Sequence, residues 1–500
     1  MSDNDLPRTP SSDAPRTDQH GTPAPDNDHS ITVGPRGPIL MQDRYLFEKM
    51  QSFNRERVPE RVVHAKGSAA HGYFEVTEDV TPWCKADFLS GVGKRTEVFL
   101  RFSTVAGEQG SPDTWRDPRG FALKHYTEHG NYDMVGNNTP VFFVRDPIKF
   151  SDFIHSQKRD PRSGLRDETY MWDFWSLTPE SLHQVLWLMG DRGVPRSYRH
   201  MNGYSSHTYR WVNAAGEAFW VKYHYKTDQG IEFLTQQEAD EMAGTDPDYH
   251  RHDLFRAIEE GEYPSWTLKV QMMPEAEAWD YRFNPFDLTK VWPHADYPLH
   301  EIGKLVLNRN PDNFFAETEQ SAFEPGNMVP GIEPSPDKML QNRLISYADT
   351  HRYRIGANYA RLPVNCPLHG ANDTHNRDGL GRPDGNHGGR PNYAPNSFDD
   401  PRADGSWNES RWETGGEIGR YDYEQRYKDT DDEQPAAFWA MLDDGERERL
   451  VANIAGHLGE VRHEGVRERS LAYLARASDE LSGRVTEAMG TPSEMESPTA

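Results

Sequence analysis

Cysteine is nearly absent: Cys84 and Cys366 are the two in 500 residues, too few for a disulfide framework, so a reducing compartment is the simpler expectation. Positive charge is also short, with 55 Lys and Arg against 80 Asp and Glu for a formal charge of −25. That balance argues against nucleic acid and against an anionic membrane surface as partners. No apolar run approaches the roughly 18 residues that cross a bilayer, and the N-terminus lacks a charged-then-apolar signal pattern. A cytoplasmic protein with no membrane partner is expected. No internal repeat is visible.

Residues 1–30 hold five prolines and little that is large and apolar, which reads as a disordered tail. From Ile39 to Phe53 the spacing of Leu46, Phe47, Met50 and Phe53 predicts an arm helix with one face to bury. Between Gly72 and Asn310 strand signals dominate: VFLRF at 98–102, FALKHY at 121–126, VFFVR at 141–145, AFWVKYHYK at 218–226 and WTLKVQM at 266–272. An antiparallel barrel follows from them, with a turn at Asn213–Gly216 and a helical insertion over Pro179–Met189. Residues 311–430 are polar and rich in Gly and Pro, a run more suited to wrapping other elements than to a free loop. Helical periodicity returns from Ala436 to Met489, with Leu450, Ile454 and Leu458, then Leu471, Leu474, Leu481 and Val485, on repeating faces.

Two stretches carry chemistry. Phe53 to Ala69, FNRERVPERVVHAKGSA, sets His64 beside Arg55 and Arg61 in an apolar frame of Val62 and Val63. A neutral imidazole can pass a proton between two atoms of one substrate, and an arginine three residues earlier can neutralise an acidic cofactor substituent. For one histidine among 21 the ordinary reading is a satisfied core or surface residue. Arg343 to His351, RLISYADTH, spaces Arg343 and Tyr347 i, i+4 on one helix face. A guanidinium held against a phenol favours phenolate, whose ordinary pKa is about 10, and phenolate is a hard anionic ligand for ferric iron.

Together these stretches resemble the monofunctional haem catalases of small-subunit type. The first fits the family's distal pattern at Phe53, Arg55, Glu60, Arg61, His64, Gly67, Ser68 and Ala69; the second fits the proximal pattern, with Ile345 where phenylalanine is usual. Further family-like blocks are RFSTVAGEQGSPDTWRDPRGFALK, GNNTPVFFVRDPIKF, DFIHSQKRDP, HMNGYSSHTY, YHYKTDQGI and NMVPGIEPSPDKML, and the likeness runs from about Ile31 to Met489.

The resemblance implies an α+β fold: an antiparallel β-barrel core (72–310) after an N-terminal arm with the distal histidine (31–71), then a long wrapping segment with the proximal helix (311–430), a C-terminal helical domain (431–489) and a tail (490–500). It implies disproportionation of hydrogen peroxide to water and dioxygen, through a ferryl intermediate on haem of the b type. By the same resemblance His64 is the distal acid and base, Ser103 holds its other ring nitrogen, and Asn137 orients peroxide. Phe150 stacks on the distal haem face, with Val63, Val105, Phe142, Phe143 and Asp117 lining the pocket and its approach. Tyr347 is the iron ligand, catalase being itself the general example of tyrosine ligation among haem proteins. Arg343 keeps it ionised, with His207 and Asp337 behind that arginine. Arg61, Arg101 and Arg354 pair with the haem propionates.

The resemblance also implies a homotetramer, and NADPH bound away from the haem by His183, Arg192, Asn202, Tyr204, Lys226, Val291, Trp292 and His294. Trp187 replaces a usual phenylalanine there, and Gly190 a usual serine. Two rivals stand beside this reading. A tyrosinate-haem peroxidase or hydroperoxide isomerase needs room for a larger substrate, against which Val63 argues. A non-catalytic haem-binding protein does not need His64, Ser103 and Asn137 together.

Overall fold

The computed structural model describes residues 14–369, 373–382, 384–398, 402–422 and 430–490, which fall into one unit ending at Pro59 and another beginning at Glu60. In the first, α1 (Arg44–Phe53) starts later than the apolar spacing suggests, because the Asp43 carboxylate caps it by accepting the Leu46 amide. Asp43 also accepts the Ile31 amide, at 2.7 Å. None of the helix residues is buried, and Phe47, Met50 and Phe53 are exposed. Residues 14–30, read from composition as disordered, instead form turns and a bridge pairing Thr17 with Pro23. Asp18 organises them by accepting the amides of His20 and Thr22 and the guanidinium of Arg44. Composition does not register such local side-chain bonds. Residues 1–13 of that tail, and residues 491–500 of the C-terminal one, lie outside the described residues.

Among the described residues of the second unit ten strands form one antiparallel sheet. They are β1 (Gly67–Val76), β2 (Arg95–Thr104), β3 (Arg119–Thr127), β4 (Gly130–Asn137), β5 (Gly203–Tyr204), β6 (Tyr209–Val212), β7 (Ala218–Thr227), β8 (Ser265–Pro274), β9 (His300–Arg309) and β10 (Ile332–Pro334). The order is β10-β6-β7-β5-β4-β3-β2-β1-β9-β8, and β7 also pairs with β8, so the eight strands from β7 to β8 close into a barrel while β6 and β10 extend from it. The first strand starts at Gly67, before the Gly72 boundary read from the sequence, since Gly67 and Ser68 pair with Ser103 and Phe102. The interior is filled by large side chains, among them Phe74, Phe102, Phe121, Trp211, Tyr225 and Trp266, all buried. Each such burial contributes about 1.5–3 kcal/mol, which makes the barrel a stiff support.

Val141–Arg145, expected as a strand, is irregular. Pro140 and Pro147 bracket it, and its Phe142 amide donates to Leu288 O at 3.0 Å instead of joining a ladder. Its apolar residues join one aromatic cluster: Phe143 packs with Phe153 and Trp175, and Phe142 with Phe150 and Phe153.

Helices α2 (Phe150–Gln157), α3 (Glu168–Ser176) and α4 (Leu182–Met189) lie between β4 and β5; α5 (Gln236–Thr245) and α6 (Tyr249–Glu259) lie between β7 and β8. After β10 comes α7 (Lys338–Arg354), started by Asp337, whose carboxylate accepts the Met339 and Leu340 amides. The chain ends in α8 (Glu433–Met441), α9 (Asp444–Gly459), α10 (Glu464–Ala475) and α11 (Asp479–Gly490). Leu450, Ile454, Leu458, Leu474, Leu481 and Val485 share one core with Trp172, Trp175 and Leu186, so these helices pack on α3 and α4. Among the described residues no helix is long and apolar enough to cross a membrane.

Candidate active site

The barrel register lays one row of residues across five strands. Gly67 on β1 faces Ser103 on β2, Ser103 faces Gly120 on β3, Gly120 faces Asn137 on β4, and Asn137 faces Tyr204 on β5. His64 stands three residues ahead of β1, its amide donating to Val105 O at 3.0 Å and its Nδ1 lying 2.9 Å from Ser103 Oγ. Its φ is +64°, a left-handed conformation that costs a non-glycine residue about 1–3 kcal/mol and is held by its surroundings. Room for the ring comes from Gly120, where a Cβ would lie 2.4 Å from Ser103 Oγ and 2.7 Å from His64 Nδ1. The sequence reading missed Gly120; the available signal was a glycine inside a strand of bulky residues. Burial first, then the charges of Arg101, Arg343, Arg61 and Lys158, lower the His64 pKa to about 3, so the imidazole is neutral at ordinary pH.

Val63, His64, Val105, Asn137, Phe142 and Phe150 line the same cavity as Ser206, His207, Met339, Arg343 and Tyr347. On the α7 side the polar groups form a chain. Asp337 Oδ2 lies 2.6 Å from His207 Nδ1, His207 Nε2 lies 2.7 Å from Arg343 Nη1, and Arg343 Nη2 donates to Tyr347 Oη at 2.6 Å. With an arginine as donor, His207 Nε2 accepts and Nδ1–H donates to Asp337, which sets one tautomer. Burial lowers the His207 pKa although Asp337 opposes the shift, so this ring too favours its neutral form. Ile345 is 75 % exposed, so its departure from phenylalanine falls on the outer face of α7.

Val105 also lines an adjoining cavity, where Asp117 and Phe143 are found. Asp117 Oδ2 accepts the amides of Val105 and Ala106, both at 2.7 Å, and so pins the backbone just after β2. Burial raises its pKa against the pull of Arg119 and these amides.

Arg61, Arg101 and Arg354 are buried together. Arg61 and Arg354 both pair with Glu319, at 3.3 and 3.1 Å, and Arg61 also bonds the carbonyls of Thr318, Glu319 and Ser321. Arg101 Nη2 donates to Ala65 O, while its Nε is buried without a partner. Burial and mutual repulsion lower the pKa of Arg61 well below its usual value. Three guanidiniums around one carboxylate leave positive charge for two more carboxylates, as the two propionates of a haem supply. Glu319, also missed from sequence, is delivered by a π-helical turn, Phe314–Glu319.

The residues assigned to NADPH form a connected cluster in part. Asn202 Nδ2 and Lys226 Nζ both donate to Tyr204 Oη, at 2.8 and 3.1 Å, and His224 bridges the Tyr204 and His294 rings. Arg192 lies 5.9 Å from the Trp187 ring centroid. Val291 is bonded through its amide and carbonyl to Gln434 of α8, and Trp292 is buried with its indole N–H on Pro285 O. His183 is buried, with Nδ1 bonded to Thr289 O and Nε2 accepting the Trp187 indole N–H, so both ring nitrogens are engaged within the protein. The tryptophan that replaces phenylalanine thus brings its own donor.

A closed barrel with His64 on Ser103 and Tyr347 on Arg343 around one cavity, beside a cluster of buried arginines, fits a haem enzyme of the peroxide-handling class. The family model described as Catalase matches residues 17–400, and one described as Catalase-related immune-responsive matches 427–489. A catalase of Streptomyces coelicolor is 57% identical over 477 residues, covering 95% of this chain and 98% of that protein. A bromoperoxidase-catalase of Streptomyces venezuelae is 55% identical, covering 95% and 98%. The solved structure of catalase A from Saccharomyces cerevisiae superposes with a TM-score of 0.93 at 44% identity, covering 96% of this chain and 99% of that one. The chain belongs to the catalase family. It is a haem-dependent oxidoreductase that disproportionates hydrogen peroxide.

Proposed function

We propose that Tyr347 is the haem ligand and that His64, with Ser103 and Asn137, performs the proton transfers on peroxide. The observation that carries this reading is that one cavity collects His64, turned by Ser103, and Tyr347, bound by Arg343. Haem, when bound, supplies the iron that exchanges two electrons with peroxide. With Nδ1–H donating to Ser103 Oγ, His64 Nε2 holds a free lone pair; it takes a proton from one peroxide oxygen and returns it to the other, which then leaves as water. A neutral imidazole is required, since imidazolium accepts no proton. The Asn137 amide donates to peroxide and fixes its direction. A second peroxide held at the same place returns two electrons to the haem and passes its two protons, by way of His64, to the oxygen left by the first, which departs as a second water while the second peroxide leaves as dioxygen. Arg343 donates to Tyr347 Oη and orients the phenol oxygen, and Asp337 and His207 hold Arg343. Val63, Val105, Phe142 and Phe150 keep the cavity dry, while Asp117 and Phe143 line the approach. Arg61, Arg101 and Arg354 take the two propionates of haem b.

Two substitutions test the pair. His64→Ala keeps haem and loses oxygen evolution; Tyr347→Phe loses or misligates haem. Near-normal oxygen evolution from His64→Ala refutes the assignment.

The same reading extends to the whole chain: an arm (31–71), a barrel (72–310), a wrapping segment (311–430) and C-terminal helices (431–489) around one haem, in a cytoplasmic homotetramer. The exposed Phe47, Met50 and Phe53 of α1, which need cover, support the tetramer. NADPH is held by Arg192 and Lys226 through its phosphates, with His183, Asn202, Tyr204, Val291, Trp292 and His294 around the rest.

A further inference from the structure

Lys222, inside β7, is buried, although lysine is almost never fully buried unless paired with an opposite charge. Its ammonium donates to a neutral group, the carbonyl of Ser206, at 2.6 Å, lies 5.5 Å from the Trp292 ring centroid, and feels Asp337 and Asp287 through their charge without an ion pair to either. Ser206 is one of five described non-glycine residues with positive φ, at +56°. Its neighbours brace the same turn: Ser205 Oγ donates to His207 O at 2.8 Å, the His207 amide donates to Ser205 O at 2.6 Å, and Ser206 Oγ donates to Thr139 O at 3.2 Å. The residue that leaves this turn is His207, the link between Asp337 and Arg343.

We propose that Lys222 is a positioning residue for the ligand side of the haem site: by holding the Ser206 carbonyl it keeps Ser206 left-handed and His207 seated on Arg343. The proposal rests on Tyr347 being the iron ligand that Arg343 serves. A serine released from that carbonyl contact relaxes toward an extended conformation, which L-residues prefer. His207 follows Ser206 directly in the chain, so it swings with it. Arg343 then loses an acceptor that orients its donor to Tyr347. Nothing in the role requires Lys222 to touch substrate or haem.

The test uses holoenzymes. Lys222→Met has similar length, fits an apolar site and removes the donor. Expected is a haem-replete protein with kcat down roughly tenfold, the usual scale for a group behind a ligand, and with shifted tyrosinate vibrations in its resonance Raman spectrum. Adding Ser206→Gly in the same chain restores both, because glycine holds positive φ unaided. A core-filling role for Lys222 predicts lost thermal stability without the spectral shift and without rescue. Unchanged kcat and vibrations in haem-replete K222M overturn the proposal, as does a loss that S206G leaves in place. If K222M alone does not accumulate, the double variant decides: wild-type vibrations support the proposal, and no recovered protein overturns it. A wild-type spectrum lacking tyrosinate vibrations refutes Tyr347 as ligand and leaves Lys222 to be judged from a K222M crystal structure. There, a retained His207–Arg343 contact overturns the proposal and a lost one supports it.

Discussion

Gly120→Ala adds one methyl group at the tightest point of the row that carries Ser103 and Asn137. The new carbon lies 2.4 Å from Ser103 Oγ and 2.7 Å from His64 Nδ1, whereas non-bonded heavy atoms rest at about 3.5–4.0 Å. Something gives way by about 1 Å. If the Ser103 hydroxyl turns aside, His64 Nδ1 loses its partner; if the imidazole moves, Nε2 leaves its place in the cavity. A misplacement of about 1 Å costs on the order of 100-fold in rate, while overpacking a core costs about 1–3 kcal/mol of stability. The expected result is therefore a folded, haem-replete enzyme whose kcat falls on the order of 100-fold. Haem content and thermal unfolding follow the fold, and initial rates of oxygen evolution follow the proton transfer. Ser103→Ala in the same chain removes the closest contact but leaves Nδ1 without its acceptor, so recovery stays incomplete. Wild-type turnover in Gly120→Ala refutes the claim that the missing Cβ sets the place of His64.

Further predictions concern pH, nucleotide and assembly. Because the His64 pKa is lowered from 6.5 to about 3, kcat/KM stays flat from neutral to about pH 5, and an inflection near the ordinary histidine value contradicts the neutral, buried base. Between those two values the unfolded chain binds a proton that the folded one refuses, so the stability present above the ordinary pKa is lost as pH falls; urea unfolding at several pH values measures this. Titration of nucleotide-stripped protein should show NADPH preferred to NADH through Arg192 and Lys226, with affinity reduced because Gly190 has no hydroxyl; no binding of either at micromolar concentration removes the site. Sedimentation should give a tetramer, and a fully active monomer rejects that assembly.

Local pattern made much of the fold legible. The aromatic and β-branched runs became β2, β3, β7 and β8, and Leu450, Ile454 and Leu458 became one buried stripe of α9. His64, Ser103, Asn137 and Tyr347 are picked out only by the family-like blocks that hold them, and the fold brings the four to one place, Ser103 against His64 and the other three lining one cavity. Gly120, Glu319 and Lys222 are not picked out, since their importance lies in contacts across register and across the chain. Gly120 matters through what stands opposite on β2, Glu319 through arginines at 61 and 354, and Lys222 through a carbonyl on a different segment. The same limit explains Val141–Arg145: its aromatic and β-branched content is real, but flanking prolines and packing into the aromatic cluster of Phe150, Phe153 and Trp175 leave it without a partner strand. Residues 14–30 escaped for the opposite reason, their turns being held by side-chain bonds to Asp18, Asp26 and Asn27 that composition cannot weigh.

Closure of the barrel has a consequence for how the enzyme is made. β1 pairs with β2 on one side and with β9 on the other, His71 lying opposite Arg309. The wall beside His64 is thus incomplete until a stretch more distant by most of the barrel sequence has left the ribosome, and Tyr347 follows later still. Distant pairings of this kind form slowly, because the intervening loop must be ordered before any contact repays it. With Tyr347 as the proposed ligand, capture of haem is expected to be a late step of biogenesis: a nascent chain halted before β9 carries His64, Ser103 and Asn137, but neither a closed barrel nor Tyr347.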